Sequence, residues 1–392
     1  MKIFFETSAL CRKYGGISVY VSSLLRILME QFPECEYHTG FKSARRSAWE
    51  EYLQNAGDIM RSGLRIHRKR LPGRLDLSCM PVLRNLTSFS TKGYDIVHIT
   101  NNLCFPYSMV SSWSNVILTV HDLLCFQTYF PILEIPDYEY SRRNLPLQAR
   151  AAAGIITVSQ FSRKEICRIL NLPEEKVMVV YNAPQKLPEN FSHAAALDTL
   201  AKYGLNSCGY FLSVGSFYPH KNYPMLIRTF LEYAASSSYR GEKLVIAGPR
   251  DGLSAPEDFH HLTGGDPRIM LLHNVTALDL SGLYACANGY FQLSFYEGFG
   301  IPVIEAMRAG CPVCCTKNSA MTEIAGEAAF PVDPTSPEEI VPVFRLFSER
   351  PEEVKKRGEA GFRRSSLFTW ERAARETMEC YRTIAEKKGK TQ

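Results

Sequence analysis

The sequence predicts an α/β protein of two doubly wound units in series, and three observations carry that prediction. Short, continuously apolar strands alternate with amphipathic helical stretches from the first residues onward, as in parallel sheets covered on both faces. The alternation lapses across residues 182–207, where Pro184, Pro188 and polar residues mark a connection and an entering helix, and then it restarts. A chain of 392 residues suits two or three domains, each able to bury its own core.

In the first unit, Lys2–Phe5 reads as the opening strand. Ile17, Tyr20, Val21, Leu24, Leu25 and Leu28 then fall on one helical face. Further strands are expected at Ile96–Ile99, Val116–Val120, 154–158 and 177–181, with a helix over 161–170 capped by Ser159. In the second unit, strands are expected at Tyr210–Val214, Lys243–Ala247, Ile269–Leu272, 290–295 and 312–315, with a helix over 223–235. Trp370, Ala374, Thr377, Tyr381 and Ile384 form one stripe of a terminal helix. The expected division is 1–185, 186–368, and a helix and tail over 369–392. No internal repeat or low-complexity tract is visible.

Composition narrows the function classes. Hydrophobic content of 45% and charged content of 22% are ordinary for a globular chain. The net charge of +5, from 45 basic and 40 acidic residues, is too small to argue for nucleic acid. Glu6 interrupts the first apolar run, so the N-terminus reads as a strand and not a signal peptide. No stretch approaches the roughly 18 apolar residues of a membrane span. The twelve cysteines are scattered, many within apolar runs, which suggests reduced thiols in a cytoplasmic protein. Cys311 and Cys314 have the spacing of a redox or metal pair but no matching pair elsewhere.

The most informative segment is QLSFYEGFGIPVIEAMRAGCPVCC, from Gln292 to Cys315. It sets Glu297 and Glu305 on either side of a glycine-rich turn between a strand and a helix. Gly298 and Gly300 permit a tight turn and close approach of a ligand. Pro302 suits the helix start and Gly310 its stop. The amides over 299–303 would then lie unpaired at a helix N-terminus, an anion site flanked by two carboxylates. A nucleotide sugar, with phosphate and hydroxyls together, is that kind of ligand. Alternatively, Glu305 complements the helix dipole and Glu297 is a solvated loop residue.

The two glutamates, the EGFGIP turn, the EAM helix and the GxPV strand resemble the signature of glycosyltransferase family 4, retaining enzymes of the GT-B fold. The resemblance implies two Rossmann-like domains facing a cleft, with a terminal helix crossing back to the first. It implies that Glu297 faces the donor sugar, that Glu305 holds the ribose, and that the amides of Gly298, Phe299, Gly300 and Ile301 hold sugar and phosphate. SVGSFYPHKNYPMLI is similar to the family's lysine motif, which implies that Gly215, Ser216 and Lys221 bind the donor and that Lys221 contacts its diphosphate. Asn222 suits a helix N-cap, so Lys221 falls at the positive end of a helix dipole, mildly unfavourable until a pyrophosphate binds. His220 stands where the closest patterns carry arginine, which opens the number of phosphate cations.

His121, ending the strand Val116–Val120 where open sheets bind ligands, matches a family histidine that meets the donor sugar. Catalytic roles are therefore expected for His121, Lys221 and Glu297, with Asp122 orienting the loop. Gly15 and Gly16 resemble the family's glycine-rich loop beside phosphate and acceptor, and a simple turn explains them nearly as well. The Rossmann GxGxxG string is absent there, which counts against a dinucleotide oxidoreductase. Asn182-Ala-Pro-Gln replaces the family's Asn-Gly-x-Asp and receives no role. No Asp-x-Asp string occurs, so no divalent metal or other cofactor is expected beyond the nucleotide-sugar co-substrate.

The N-terminal strings and VGSFYPHKN are most similar to bacterial polysaccharide mannosyltransferases, which implies GDP-mannose as donor and a glycan or lipid-linked glycan as acceptor. Residues 61–74 carry Arg61, Arg65, Arg68, Lys69, Arg70 and Arg74 with no acid, a candidate contact with the inner, anionic face of a membrane or a solvated loop. Two other readings stay open: a GT-B sugar-nucleotide epimerase, and a non-catalytic partner of another transferase.

Overall fold

A computed structural model describes residues 1–11, 16–41, 65–68, 91–101, 110, 112–128, 136–248 and 259–389. The chain forms two compact units. One takes most of the first 182 residues together with the segment from Thr369 onward, and the other is built on Ala183–Phe368.

The first unit holds a seven-stranded sheet: β1 Lys2–Phe5, β2 Glu36–Phe41, β3 Arg65–Arg68, β4 Ile96–Ile99, β5 Val116–Val120, β6 Gly154–Thr157 and β7 Val177–Val179. Its order is β3-β2-β1-β4-β5-β6-β7, and every neighbouring pair is parallel. Strands β4 and β5 are buried along their whole length, which explains their mainly apolar character, with His98 and Thr119 the single polar residue of each. The strand order reverses between β1 and β4, the switch point where ligands collect at carboxyl ends. The helix Gly16–Gln31 buries Tyr20, Val21, Leu24, Leu25 and Leu28, as its 3.6-residue period requires. Against it packs the C-terminal helix Trp370–Gly389, whose stripe from Trp370 to Ile384 is buried.

The second unit holds six parallel strands: β8 Tyr210–Val214, β9 Lys243–Ala247, β10 Ile269–Leu272, β11 Gly289–Gln292, β12 Val313–Thr316 and β13 Ala329–Val332. Their order is β10-β9-β8-β11-β12-β13, with the reversal between β8 and β11. One face is an aromatic core in which Phe291 stacks on Phe344 at 4.0 Å and Phe211 meets Phe344 edge-on at 4.9 Å.

Four expected strand boundaries move, the slightest being the strand expected over 154–158, which ends at Thr157. The strand expected over 290–295 ends at Gln292. Beyond it the Phe295 amide bonds the His220 carbonyl at 2.8 Å, which draws the backbone off the sheet toward the turn after β8. The strand expected over 177–181 ends at Val179, and the one expected over 312–315 runs one residue later. Of the basic segment 61–74, only the backbone of β3 falls within the described residues. Among the described residues no helix is long and apolar enough to cross a membrane.

Candidate functional site

In the second unit the loops after β8 and β11 meet. Gly215 follows β8 with φ +153°, and a Cβ there would lie 3.2 Å from the Tyr223 hydroxyl and 3.4 Å from Lys221 Cε. The residue must therefore be glycine for the lysine to lie against the strand end. Ser216 is half-buried in the same loop. A 3-10 turn, Pro219–Lys221, leads into the helix Tyr223–Ala234.

Asn222 between them holds the expected N-cap position, but its side chain makes no capping bond. It sits in the left-handed region at φ 57°, and its side-chain amide donates to the carbonyls of Leu293 (3.2 Å) and Pro334 (2.8 Å). It ties the lysine turn to the signature loop instead. The dipole argument for Lys221 also changes, because its Nζ lies 2.6 Å from Glu297 Oε1 with both side chains 15% exposed. Before any ligand arrives, the cation is already balanced by that carboxylate.

The signature turn owes its shape to Gly300. Its φ is +90°, and a Cβ would press to 2.9 Å from Met321 Cγ. Gly300 caps the helix Ile301–Arg308, with Pro302 in the first turn and Gly310 at φ +74° just past the end. The Val303 amide, expected to be open, instead folds back on the Gly300 carbonyl at 3.0 Å, as the Ile304 amide does at 3.4 Å, because the first helical turn already closes there. The amides of Phe299, Gly300 and Ile301 precede the intrahelical ladder and so form the anion-accepting end of the helix. Gly298 and Phe299 are buried in this turn.

Glu297 Oε1 also accepts from Gln292 Nε2 at 2.7 Å. Burial pushes its carboxyl up, but Lys221 and His220, with bonds from Lys221 and Ser294, outweigh that and hold it below the ordinary range. His220 is buried and pushed down to about 4, first by burial and then by Lys221, so it is neutral near pH 7.

Glu305 lies on the signature helix. Its Oε2 accepts from the Tyr284 hydroxyl at 3.3 Å and its Oε1 from the Gln185 amide at 3.4 Å. Tyr284 comes from the helix Ala277–Cys286, which Thr276 and Asp279 start with a capping box. Burial raises the Glu305 carboxyl to about 7. An open pocket of about 180 Å³ adjoins it, with Leu187, Phe191 and Leu280 on its walls and Tyr284 and Arg308 as further polar groups.

In the first unit His121 ends β5. Its Nε2 lies 3.0 Å from the Thr100 carbonyl, which can only accept, so Nε2 carries the proton and Nδ1 is left as an acceptor. Burial lowers it to about 4, and Tyr20 meets it edge-on at 4.7 Å. Asp122 accepts from the Leu124 amide at 2.9 Å and so shapes the loop. Behind them, His98 Nε2 bonds Thr119 Oγ1 and His98 Nδ1 bonds the Tyr381 hydroxyl, both at 2.6 Å. Gly16 opens its helix, whereas Gly15 lies outside the described residues.

Sequence reasoning missed Gln185, Gln292, Tyr284 and Arg308. Gln185 belongs to the loop to which no role was given, and it serves through its amide, which no side chain advertises. Gln292 did carry a signal: a polar residue ending an otherwise aromatic buried strand. Cys311 and Cys314 are buried thiols pushed upward by burial, and no metal-binding cluster occurs among the described residues.

Comparison with known proteins decides the family. Residues 14–183 match the model described as Glycosyltransferase Family 4, and residues 203–364 match the one described as Glycosyl transferases group 1. The chain belongs to glycosyltransferase family 4. This glycosyltransferase is 26% identical to O-antigen chain mannosyltransferase B of Escherichia coli, over 98% of its own length and 100% of the relative's. It is 29% identical to O-antigen chain mannosyltransferase RfbU of Salmonella typhimurium, over 59% of this chain and 60% of that one. Among solved structures, Anabaena HepE in complex with UDP and glucose superposes with a TM-score of 0.70 at 15% identity, covering 98% of this chain and all of that one. The fold is GT-B.

Proposed function

We propose that this glycosyltransferase moves a hexose, mannose from GDP-mannose, onto a glycan or lipid-linked glycan in polysaccharide biosynthesis, with retention at the anomeric carbon. The observation that carries the reading is the convergence of Lys221 and Glu297 beside the N-terminal amides of the signature helix. The two mannosyltransferase relatives, named for O-antigen chains, support the sugar and the acceptor class.

In this reading the donor diphosphate lies between Lys221 and the amides of Phe299, Gly300 and Ile301. Those fixed charges and dipoles stabilise the departing phosphate without reorganising, which is the main catalytic effect available here. Glu297 accepts from hydroxyls of the donor sugar, and Glu305 from those of the ribose. The acceptor hydroxyl attacks on the face that the phosphate vacates, and that phosphate takes its proton. His121, neutral and with Nδ1 free to accept, meets the sugar as a hydrogen-bond partner and not as a cation. Phosphate charge is handled by Lys221 and the helix, so no divalent metal is required.

A thermal-shift panel of GDP-, UDP- and ADP-sugars, in the presence of EDTA, tests the reading. A donor at a hundred times its Kd adds about 2.7 kcal/mol to the folded state. Stabilisation by one nucleotide class, lost in Lys221→Ala, is the expected result. No shift with any of them would sink the donor assignment, and a changed sugar nucleotide released without acceptor would point to an epimerase.

A further inference from the structure

Beneath the signature turn runs a polar chain that the donor reading leaves unused. Gln292, the last residue of β11, is 3% exposed. Its side-chain oxygen accepts from the Tyr290 hydroxyl at 2.7 Å, and its nitrogen donates to Glu297 Oε1 at 2.7 Å, with a longer contact of 3.4 Å to Ser294 Oγ. A carboxylate cannot donate, so the amide nitrogen must face Glu297, and the phenol then has the amide oxygen as its acceptor. Both ends of the amide are satisfied, which is the condition for burying one between Phe291 and Leu293.

Lys221 and Gln292 bond the same oxygen, Oε1. If the lysine turns to a diphosphate, Glu297 loses its main partner inside a buried site. A buried carboxylate left alone takes up a proton or swings away. Gln292 cannot follow the lysine, because Tyr290, itself fully buried, holds its other end.

We infer that Gln292 is a positioning residue, anchored by Tyr290, that holds the Glu297 carboxylate in place while Lys221 engages the donor diphosphate. The inference rests on the donor reading of Lys221 and Glu297.

The test compares Gln292→Met, which keeps volume and removes both bonds, with Tyr290→Phe, His220→Asn and Glu297→Gln. The groups that face Glu297 are Lys221 and His220 from the turn after β8, Tyr223 from the following helix and Tyr290 from β11. Gln292→Met should lower kcat about tenfold with donor KM within twofold. The acid limb of its kcat–pH profile should move up by about one unit, as expected for a carboxylate that has lost a hydrogen bond to its charged form. Tyr290→Phe should shift the limb the same way and less.

A Gln292→Met enzyme that melts earlier but keeps the wild-type kcat and acid limb would reduce Gln292 to a structural residue and overturn the inference. A limb that disappears in His220→Asn would belong to His220 and overturn it too. If Gln292→Met does not fold, Tyr290→Phe decides alone, and an unmoved limb there refutes the idea. Wild-type turnover in Glu297→Gln would instead remove the donor reading on which the inference stands.

Discussion

Replacing Lys221 with methionine should destabilise the protein in a way that grows with pH. The lysine and Glu297 are each 15% exposed and 2.6 Å apart, so the variant strands a carboxylate in a largely buried site. Losing one partner of a buried pair costs about 3–5 kcal/mol, and the low end applies here because Gln292 still donates to Glu297. In the wild type the Glu297 carboxyl lies below its ordinary 4.5. Its contribution to stability is therefore present above about pH 4.5 and lost as pH falls through the lower folded value.

In Lys221→Met the largest interaction opposing burial is gone and only His220 and the Ser294 bond act against it, so the carboxyl is expected to move above 4.5. Ionising it then opposes folding, so the variant loses stability as pH rises from 4.5 through the new value. Near pH 4 the variant's Glu297 is protonated and only a hydrogen bond is missing, about 1 kcal/mol. Near pH 8 the deficit should reach about 3 kcal/mol, or roughly 9 °C in Tm for a unit of this size. Melting curves of both proteins at half-unit steps from pH 4 to 8 make the measurement. A deficit that stays constant over that range would show that the pair is not electrostatically coupled, and the site would have to be rebuilt without it.

Other perturbations probe the remaining parts. Because burial raises the Glu305 carboxyl to about 7, its ionisation weakens the fold between about pH 4.5 and 7, while the ionised form is the one that accepts from ribose. Donor affinity by titration calorimetry should thus rise as pH passes through 7, and Glu305→Gln should abolish that rise. His121→Ala should lower turnover more than tenfold, yet the wild-type kcat–pH profile at saturating donor, where the Glu305 effect on affinity drops out, should show no inflection near 6.5, since burial holds His121 at about 4. Gly300→Ala meets both a positive φ and Met321, so it should lose about 1–3 kcal/mol in a thermal melt and weaken nucleotide binding. Tyr381→Phe removes a partner of buried His98 and should cost about 1–3 kcal/mol by the same method.

The strands that sequence reading found are those dominated by Val, Ile and Leu, such as β4 and β5, where burial on both faces admits only a single polar residue each, His98 and Thr119. Those it passed over break that pattern. Strand β2 carries His38 and Thr39, both buried, and β13 is an edge strand whose Pro331 would be excluded from a central one. The signature turn was legible because its glycines, Pro302 and the two glutamates each have a separate physical reason. The contact between Lys221 and Glu297 was not, since it joins loops from two different crossovers. Asn222 misled for a related reason: its amide reaches Leu293 and Pro334 across the sheet top, which no local rule anticipates.

The hydrogen bond between His98 and Tyr381 also bears on how the chain is made. Tyr20 and His98 are synthesised early, but their partners Trp370 and Tyr381 belong to the final helix. Domains usually fold in the order they leave the ribosome. Here the first unit must wait with the Tyr20–Trp370 and His98–Tyr381 positions open until the helix Trp370–Gly389 emerges, while Ala183–Phe368 has its whole sheet before then. The first unit should accordingly be completed after the second, and a stop codon before Trp370 should leave the first unit exposed to proteases.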